Sequence, residues 1–372
     1  MKKLSSIKKL KGKKILVRVD FNVPLENGII LDDFRIKKTL PTIEKLRRDG
    51  ARVILISHFE EPGDNSLKNI LLYLNTFFPV TFVEDILSKE ASKIVDGMRD
   101  SDVVLFENLR KWKGEKENDK KFANKLASYA DIYVNEAFSA SHREHASVVG
   151  IPQNLPAYAG DLFSEEIKAL KKVLAPREPF LFILGGAKFS TKLPLLKKFL
   201  KKADQVVVAG ALMNNFYKEQ GFEIGKSVVE DGDLGIKTML KNKHLYIPKD
   251  VIVETKGGHV EVRDPSKVQK NDIIMDVGPN SIKDIQTFIN ESKFILWNGP
   301  LGNYEKGYDE GTKELAHRIA EAAKDSIVGG GDTLTVISKL NLLGKYTFVS
   351  TAGGAMLDFL ANETLPGIEA LG

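Results

Sequence analysis

One repeating pattern constrains this chain more than any other feature. A short apolar run is followed by a polar or glycine cluster and then by a stretch with helical period. Strand candidates in the first half are Ile15–Val19, Val53–Ile56, Val103–Phe106 and Ile132–Val134. The second half offers Phe180–Leu184, Val206–Ala209, Ile273–Val277, Phe294–Trp297, Ile327–Val328 and Phe348–Val349. Between them run amphipathic periods such as Ile36, Leu40, Ile43 and Leu46, with Gly50 placed to end a helix. Another comprises Leu67, Ile70, Leu71, Leu74, Phe77 and Phe78. Strands alternating with helices specify parallel sheets with right-handed crossovers, hence an α/β fold. So many strands overfill one open sheet, and two sheets are expected. The expected break is GIPQNLPAYAG, Gly150 to Gly160, with Pro152 and Pro156. A Lys-rich helix from Ser164 to Leu174 follows, then Pro176 and Pro179, which reads as a connection between two domains.

Composition narrows the classes. A 372-residue chain with 42% apolar and 28% charged residues can bury a real core. It has no Cys, which excludes disulfide scaffolds, thiolate metal sites and cysteine nucleophiles. The net charge of +5 suits small anionic ligands and is too small to argue for nucleic acid. Seven lysines crowd the first fourteen residues, but no apolar run long enough for a signal core or a bilayer span follows. The expectation is a soluble, cytoplasmic protein whose lysines form a solvated face.

Ligands of open α/β sheets bind beyond the carboxyl ends of the strands, so the residues after each apolar run carry the chemistry. The first run leads to Arg18, Asp20 and Asn22, whose spacing predicts one shared strand face before Pro24. Later ends present Ser57-His58, Glu107-Asn108-Leu109-Arg110, and Asn135-Glu136 leading to His142-Arg143-Glu144-His145. Guanidinium forks and imidazoles suit a phosphorylated acid. In the second half the ends are Gly185-Gly186-Ala187-Lys188 with Lys192, Asn298-Gly299-Pro300, Gly329-Gly330-Gly331-Asp332-Thr333 and Thr351-Ala352-Gly353-Gly354. Glycines before a helix let backbone N–H groups approach phosphate oxygens, and an adjacent Asp can hold Mg²⁺. The segment Gly221 to Ser227 is not a Walker A loop, having three residues between its glycines where four are needed. The HREH segment lacks the third ligand and helical geometry of a metal site. His244, His259 and His317 have no chemically suggestive neighbours in the sequence.

The segment Arg18-Val19-Asp20-Phe21-Asn22-Val23-Pro24 resembles the signature of the phosphoglycerate kinase family. The likeness runs in order through DDFRI, SHFEEP, ENLR, NEAFSASHREHAS, LGGAKFSTK, GKS, DVGP, WNGPLGNYE, GGGDT, STAGGAMLDFL and LPGIEAL. It implies two Rossmann-like domains, each a mainly parallel sheet flanked by helices and joined by a hinge helix. Residues 1–155 would bind 3-phosphoglycerate and 156–175 would form the hinge. Residues 176–355 would bind nucleotide, and 356–372 would return to the first domain. The implied reaction moves phosphate from 1,3-bisphosphoglycerate to Mg-ADP, giving 3-phosphoglycerate and ATP. Motif by motif, Asp20, Asn22, Arg35, His58, Arg110 and Arg143 would bind the acid. Lys188, Lys192, Asn298, Glu305, Gly330, Gly331, Asp332 and Thr333 would serve the nucleotide, with Asp332 toward Mg²⁺ and Glu305 toward the ribose. Arg35, Lys192 and Gly331 would attend the transfer itself. The implied partners are these small molecules alone, and the implied state is a monomer.

Several positions depart from the family pattern. Glu60-Glu61 stands where Gly-Arg is usual, placing two negative charges where a phosphate-binding arginine is expected. Thr191 replaces a common Asp, Glu136 a usual Asp, and Ala209-Gly210-Ala211 a triple glycine; Ala352 replaces another glycine. The extra methyls are expected to narrow the nucleotide pocket and bear on the choice between adenine and guanine. An inactive scaffold of the same fold would have no need for Arg35, Lys188, Lys192 and Asp332 together. A dinucleotide-dependent oxidoreductase would require G-x-G-x-x-G after a strand, and no glycine cluster has that form.

Overall fold

The structure, a computed structural model, describes residues 1–60, 65–322 and 324–372. It divides into two compact units, residues 1–168 with 362–372, and residues 169–361.

In unit 1 the strands are β1 (Lys14–Arg18), a hairpin of β2 (Leu25–Glu26) and β3 (Ile29–Ile30), β4 (Arg52–Ile56), β5 (Thr81–Val83), β6 (Val103–Phe106), β7 (Ile132–Asn135) and β8 (Ala157–Ala159). The main sheet is six-stranded, with order β5-β6-β4-β1-β7-β8 and every pairing parallel. Its inner strands are apolar runs because both faces are covered, so β4, β6 and β7 read as continuous burial rather than alternation. Helix Phe34–Arg48 buries Ile36, Leu40, Ile43 and Leu46, the predicted stripe, and Gly50 follows it with φ of +77°. The second predicted period condenses to Lys68–Leu74.

Two expectations shift here. Strand β1 stops at Arg18, so Asp20 and Asn22 lie in the following loop and not on a strand face. The last ladder bond is Val19 N–H to the Ile56 carbonyl at 3.0 Å; Phe21 N–H then donates to Ser57 Oγ at 3.0 Å, turning the chain. The Pro- and Gly-rich segment, placed in the connection by its composition, contains β8. Tyr133 N–H donates to the Pro156 carbonyl and Gly160 N–H to the Asn135 carbonyl, which adds this short edge strand to the sheet. Tertiary pairing outweighs the local signal.

In unit 2 the strands are β9 (Phe180–Leu184), β10 (Gln205–Val208), β11 (Leu245–Tyr246), β12 (Val251–Glu254), β13 (Val260–Arg263), β14 (Ile273–Val277), β15 (Phe294–Asn298), β16 (Asp325–Gly329) and β17 (Phe348–Val349). A second six-stranded parallel sheet has the order β11-β10-β9-β15-β16-β17. A three-stranded antiparallel sheet, β13-β12-β14, takes up the Ile273–Val277 run. Trp297, fully buried on β15, sits at the middle of the parallel sheet and donates its indole N–H to the Gly299 carbonyl at 2.9 Å. Among the described residues, no helix is long and apolar enough to cross a membrane.

Candidate functional site

Register brings the polar strand ends of unit 1 to one edge. Arg18 pairs with both Ile56 and Asn135, and Leu55 with Leu105, so the loops after β1, β4, β6 and β7 emerge side by side. Arg18 is buried and donates to Ser147 Oγ at 2.9 Å, to His58 Nδ1 at 3.1 Å and to the Val19 carbonyl. Ser147 passes the contact on to the buried carboxylate of Glu115 at 2.6 Å. Because Arg18 can only donate, the neutral His58 ring accepts at Nδ1 and carries its proton on Nε2. Burial first, then Arg18, pushes the His58 pKa well below its ordinary value; Arg143 and Arg110 add to this and Asp20 opposes it. His58 is therefore a neutral donor at physiological pH.

Asp20 lies across from this pair. Its carboxylate accepts from Arg35 Nη1 at 3.1 Å, from the Ser139 hydroxyl and from Asn22 N–H at 3.0 Å. Burial favours its neutral form, but Arg35 and these hydrogen bonds outweigh it and hold the pKa at about 2. The same Arg35 nitrogen donates to the Asn22 carbonyl at 3.1 Å, so the guanidinium is aimed by two acceptors. His145 is pushed down to about 4 by burial and then by Arg110, Arg143 and Arg18, with Glu60 opposing. Arg110 Nε and Arg143 Nη1 are buried without a hydrogen-bond partner among the described residues. Buried guanidinium N–H groups left unsatisfied are costly, and an anion in their midst removes the cost. The six acid-binding candidates, Asp20, Asn22, Arg35, His58, Arg110 and Arg143, thus share one network of hydrogen bonds and charge coupling.

Unit 2 arranges backbone rather than side chains. Leu184 pairs with Val208 and Asn298, and Asn298 with Gly329, which brings these strand ends level. Helices then begin at Phe189, Ala211, Gly331 and Gly354. Their first turns carry N–H groups with no intrahelical partner and the positive end of the dipole. Two adjoining cavities of about 290 Å³ and 310 Å³ share Gly186, Ala187, Pro300 and Asp332 as lining. One also meets Lys188, Lys192, Asn298, Gly330 and Gly331; the other meets Ala211, Lys226 and Glu305. Thr333 lines neither, being fully buried with its hydroxyl unpartnered among the described residues.

Glycine is required where these loops touch. Gly186 has φ of +97°, and a Cβ there would sit 2.4 Å from Lys192 Nζ. Gly299 has φ of +92°, and its Cβ would fall 2.4 Å from the Gly185 carbonyl oxygen. Lys192 donates to that Gly185 carbonyl. Burial lowers its pKa to about 8, with Asp332 opposing. Asp332 is shifted the other way, by burial and then by Glu305, with Lys192 opposing. A carboxylate beside a second carboxylate attracts a cation. Among the described residues there is no cluster of three or more His, Cys, Asp or Glu that could cage a metal alone. One carboxylate beside a phosphate cradle is the donor set Mg²⁺ uses when substrate oxygens complete its shell.

The departures from the family pattern are placed as follows. Ala211 lines a cavity and Thr191 lines the other, whereas Ala209 and Ala352 are buried and line neither. Glu136 accepts from Thr42 and from Leu162 N–H at 3.0 Å, at the start of helix Asp161–Leu174. Glu61 lies outside the described residues. Sequence reasoning missed Ser139 and the pairing of Arg18 with His58, which join segments far apart in the chain; no local signal marks them. Lys226 lines the same cavity as Glu305 and Asp332, and the glycines just before it in the chain were the available signal.

These features define an α/β protein with two parallel sheets flanked by helices, whose strand ends carry charged side chains in unit 1 and glycine-rich helix starts in unit 2. The family model for phosphoglycerate kinase matches residues 4–363. Curated relatives include the phosphoglycerate kinase of Dictyoglomus turgidum, 43% identical with 97% of this chain and 96% of that protein covered. That of Coprothermobacter proteolyticus is 42% identical, with 99% of each chain covered. Among solved structures, phosphoglycerate kinase from Coxiella burnetii superposes with a TM-score of 0.82 at 36% identity, covering 99% of this chain and 97% of that one. The Pyrococcus horikoshii structure gives 0.88 at 29% identity, covering 100% and 98%. The chain belongs to the phosphoglycerate kinase family, a family of glycolytic enzymes.

Proposed function

We propose that this chain transfers the acyl phosphate of 1,3-bisphosphoglycerate reversibly to Mg-ADP, giving 3-phosphoglycerate and ATP. Unit 1 takes the acid and unit 2 the nucleotide, in the cytoplasm and as a monomer. The observation that carries the reading is the set of unsatisfied buried guanidinium nitrogens at Arg110 and Arg143 beside neutral His58.

The chemistry suits this inventory. In the ATP-consuming direction a carboxylate oxygen of 3-phosphoglycerate attacks the γ-phosphorus. The bond to the β,γ-bridging oxygen breaks and ADP leaves. The nucleophile is ionised at neutral pH, its pKa lying near ~3.5–4, so no general base is needed. What the protein supplies is in-line positioning and charge neutralisation. Arg35, held by Asp20 and the Asn22 carbonyl, and Lys192, held by the Gly185 carbonyl, are the cations we assign to neutralising the charge of the transferring group. Gly330, Gly331 and Lys188 receive the nucleotide phosphates, Glu305 the ribose, and Asp332 would hold Mg²⁺ together with phosphate oxygens. That ion would supply neutralisation of phosphate charge. Transfer without hydrolysis requires water to be excluded when both substrates are bound. A coupled assay for ATP formation from 1,3-bisphosphoglycerate and ADP tests the reading; no ATP above background would reject it.

A further inference from the structure

Glu60 presents a carboxylate to the basic cluster of unit 1 from a tightly tethered backbone. Phe59 N–H donates to Asn108 Oδ1 at 2.9 Å, and Asn108 Nδ2 donates back to the Phe59 carbonyl at 2.8 Å. Glu60 N–H itself donates to Asn22 Oδ1 at 2.8 Å, tying this residue to one of the acid-binding candidates. From that anchor its carboxylate lies 3.2 Å from Lys116 Nζ and 3.5 Å from Arg110 Nε. The second pairing is close enough for charge attraction but does not satisfy the buried Arg110 nitrogen. Arg143 also acts on Glu60 through its charge. A monoanion thus sits at the rim of a cluster that a phosphate dianion would occupy with better geometry.

We propose that Glu60 is a specificity-determining residue, an internal counter-ion that an incoming phosphate group must displace from Arg110. This rests on the reading of unit 1 as the acid-binding half. A bound phosphate offers more charge than one carboxylate and can engage both edges of the guanidinium fork. It displaces Glu60, whereas a ligand bearing only carboxylate charge gains little over the carboxylate already there. Glu60 therefore raises the KM of the phosphorylated acid and disfavours unphosphorylated ones more strongly. Its side chain is 40% exposed, so the competition is a surface-type ion pair. Such pairs are worth about 0.2–1 kcal/mol, which corresponds to a change of roughly up to fivefold.

The test is Glu60→Gln, which keeps size and backbone while removing the charge. In low-salt buffer the KM for 3-phosphoglycerate is expected to fall about two- to fivefold, with kcat and the KM for ATP nearly unmoved. The difference should close in ~0.5 M KCl, where the screening length drops to a few ångströms. An unchanged or higher KM at low salt overturns the proposal. A second arm does not depend on turnover: the rise in Tm caused by inorganic phosphate over chloride at matched ionic strength. A larger rise in the variant than in the wild type supports the displaced counter-ion, and equal rises overturn it. If the wild type turns over neither substrate pair, the kinase reading falls while this arm still decides the role of Glu60.

Discussion

The two units furnish their strand ends by different means. Unit 1 uses long charged side chains already engaged with one another: Arg18 with His58, Arg35 with Asp20, and Glu60 with Arg110. Unit 2 uses backbone at the starts of helices, with Gly185, Gly210 and Gly299 packed against neighbouring backbone so closely that no Cβ fits, and adds only a few charges. Recognition by side chains is selective and sensitive to salt and to single charge changes. Recognition by backbone is indifferent to most side-chain changes and vulnerable to added atoms.

The largest expected effect breaks the comparison at its most exposed point. Arg35→Met should lower kcat by about 10³–10⁵ while leaving the nucleotide Kd within ~2-fold, since an arginine at a transferring phosphoryl group contributes on this scale. Steady-state kinetics with nucleotide titration measures both, and a preserved kcat would remove Arg35 from the transfer step. Next comes the backbone side. Gly186→Ala places a methyl against Lys192 and forces a left-handed φ, a strain of about 1–3 kcal/mol. Isothermal titration should show nucleotide Kd rising roughly 5- to 100-fold, with 3-phosphoglycerate binding unchanged.

A smaller effect reads the charge in unit 2. Lys192 titrates near 8, so its positive charge is present below that pH and lost above it. The kcat/KM for nucleotide should therefore decline as pH rises through about 8, and Lys192→Arg should carry the plateau beyond pH 9 in the same pH–rate profile. The smallest effect is on stability. Burial raises the Glu136 pKa to about 7 against hydrogen bonds from Thr42, Leu162 and Phe163 that lower it. The folded chain then keeps a proton that the unfolded chain releases near the ordinary glutamate value. Its contribution is complete below about 4.5 and declines up to about 7. Glu136→Gln should flatten the fall of Tm across that window; an unaltered slope would mean that Glu136 titrates like an exposed glutamate.

Much of this was legible because the relevant physics is local. Apolar runs such as Phe180–Leu184 and Val103–Phe106 form strands with those same bounds, since a strand covered on both faces needs no partner to declare itself. The glycine clusters are equally readable, because steric permission belongs to the residue. Less legible were β8, whose prolines and glycines signal a linker, and β12 with β13, where pairing across the antiparallel sheet decides the structure. The site shows the same division. Motif order marked Asp20, Arg35, His58 and Arg110, but not that Ser139 would donate to Asp20 or that Glu60 would face Arg110.

The amino-acid order by itself determined the α/β class, the strand-end position of the charged and glycine-rich loops, and the family. Each depends on periodicity, chain flexibility or motif, all properties of neighbours in the chain. Only the tertiary structure decided which charges pair, which protons are held and which glycines admit no side chain. Those depend on burial and on distances between segments far apart in sequence, and electrostatic energy in a folded protein is set by such distances and by exclusion of water.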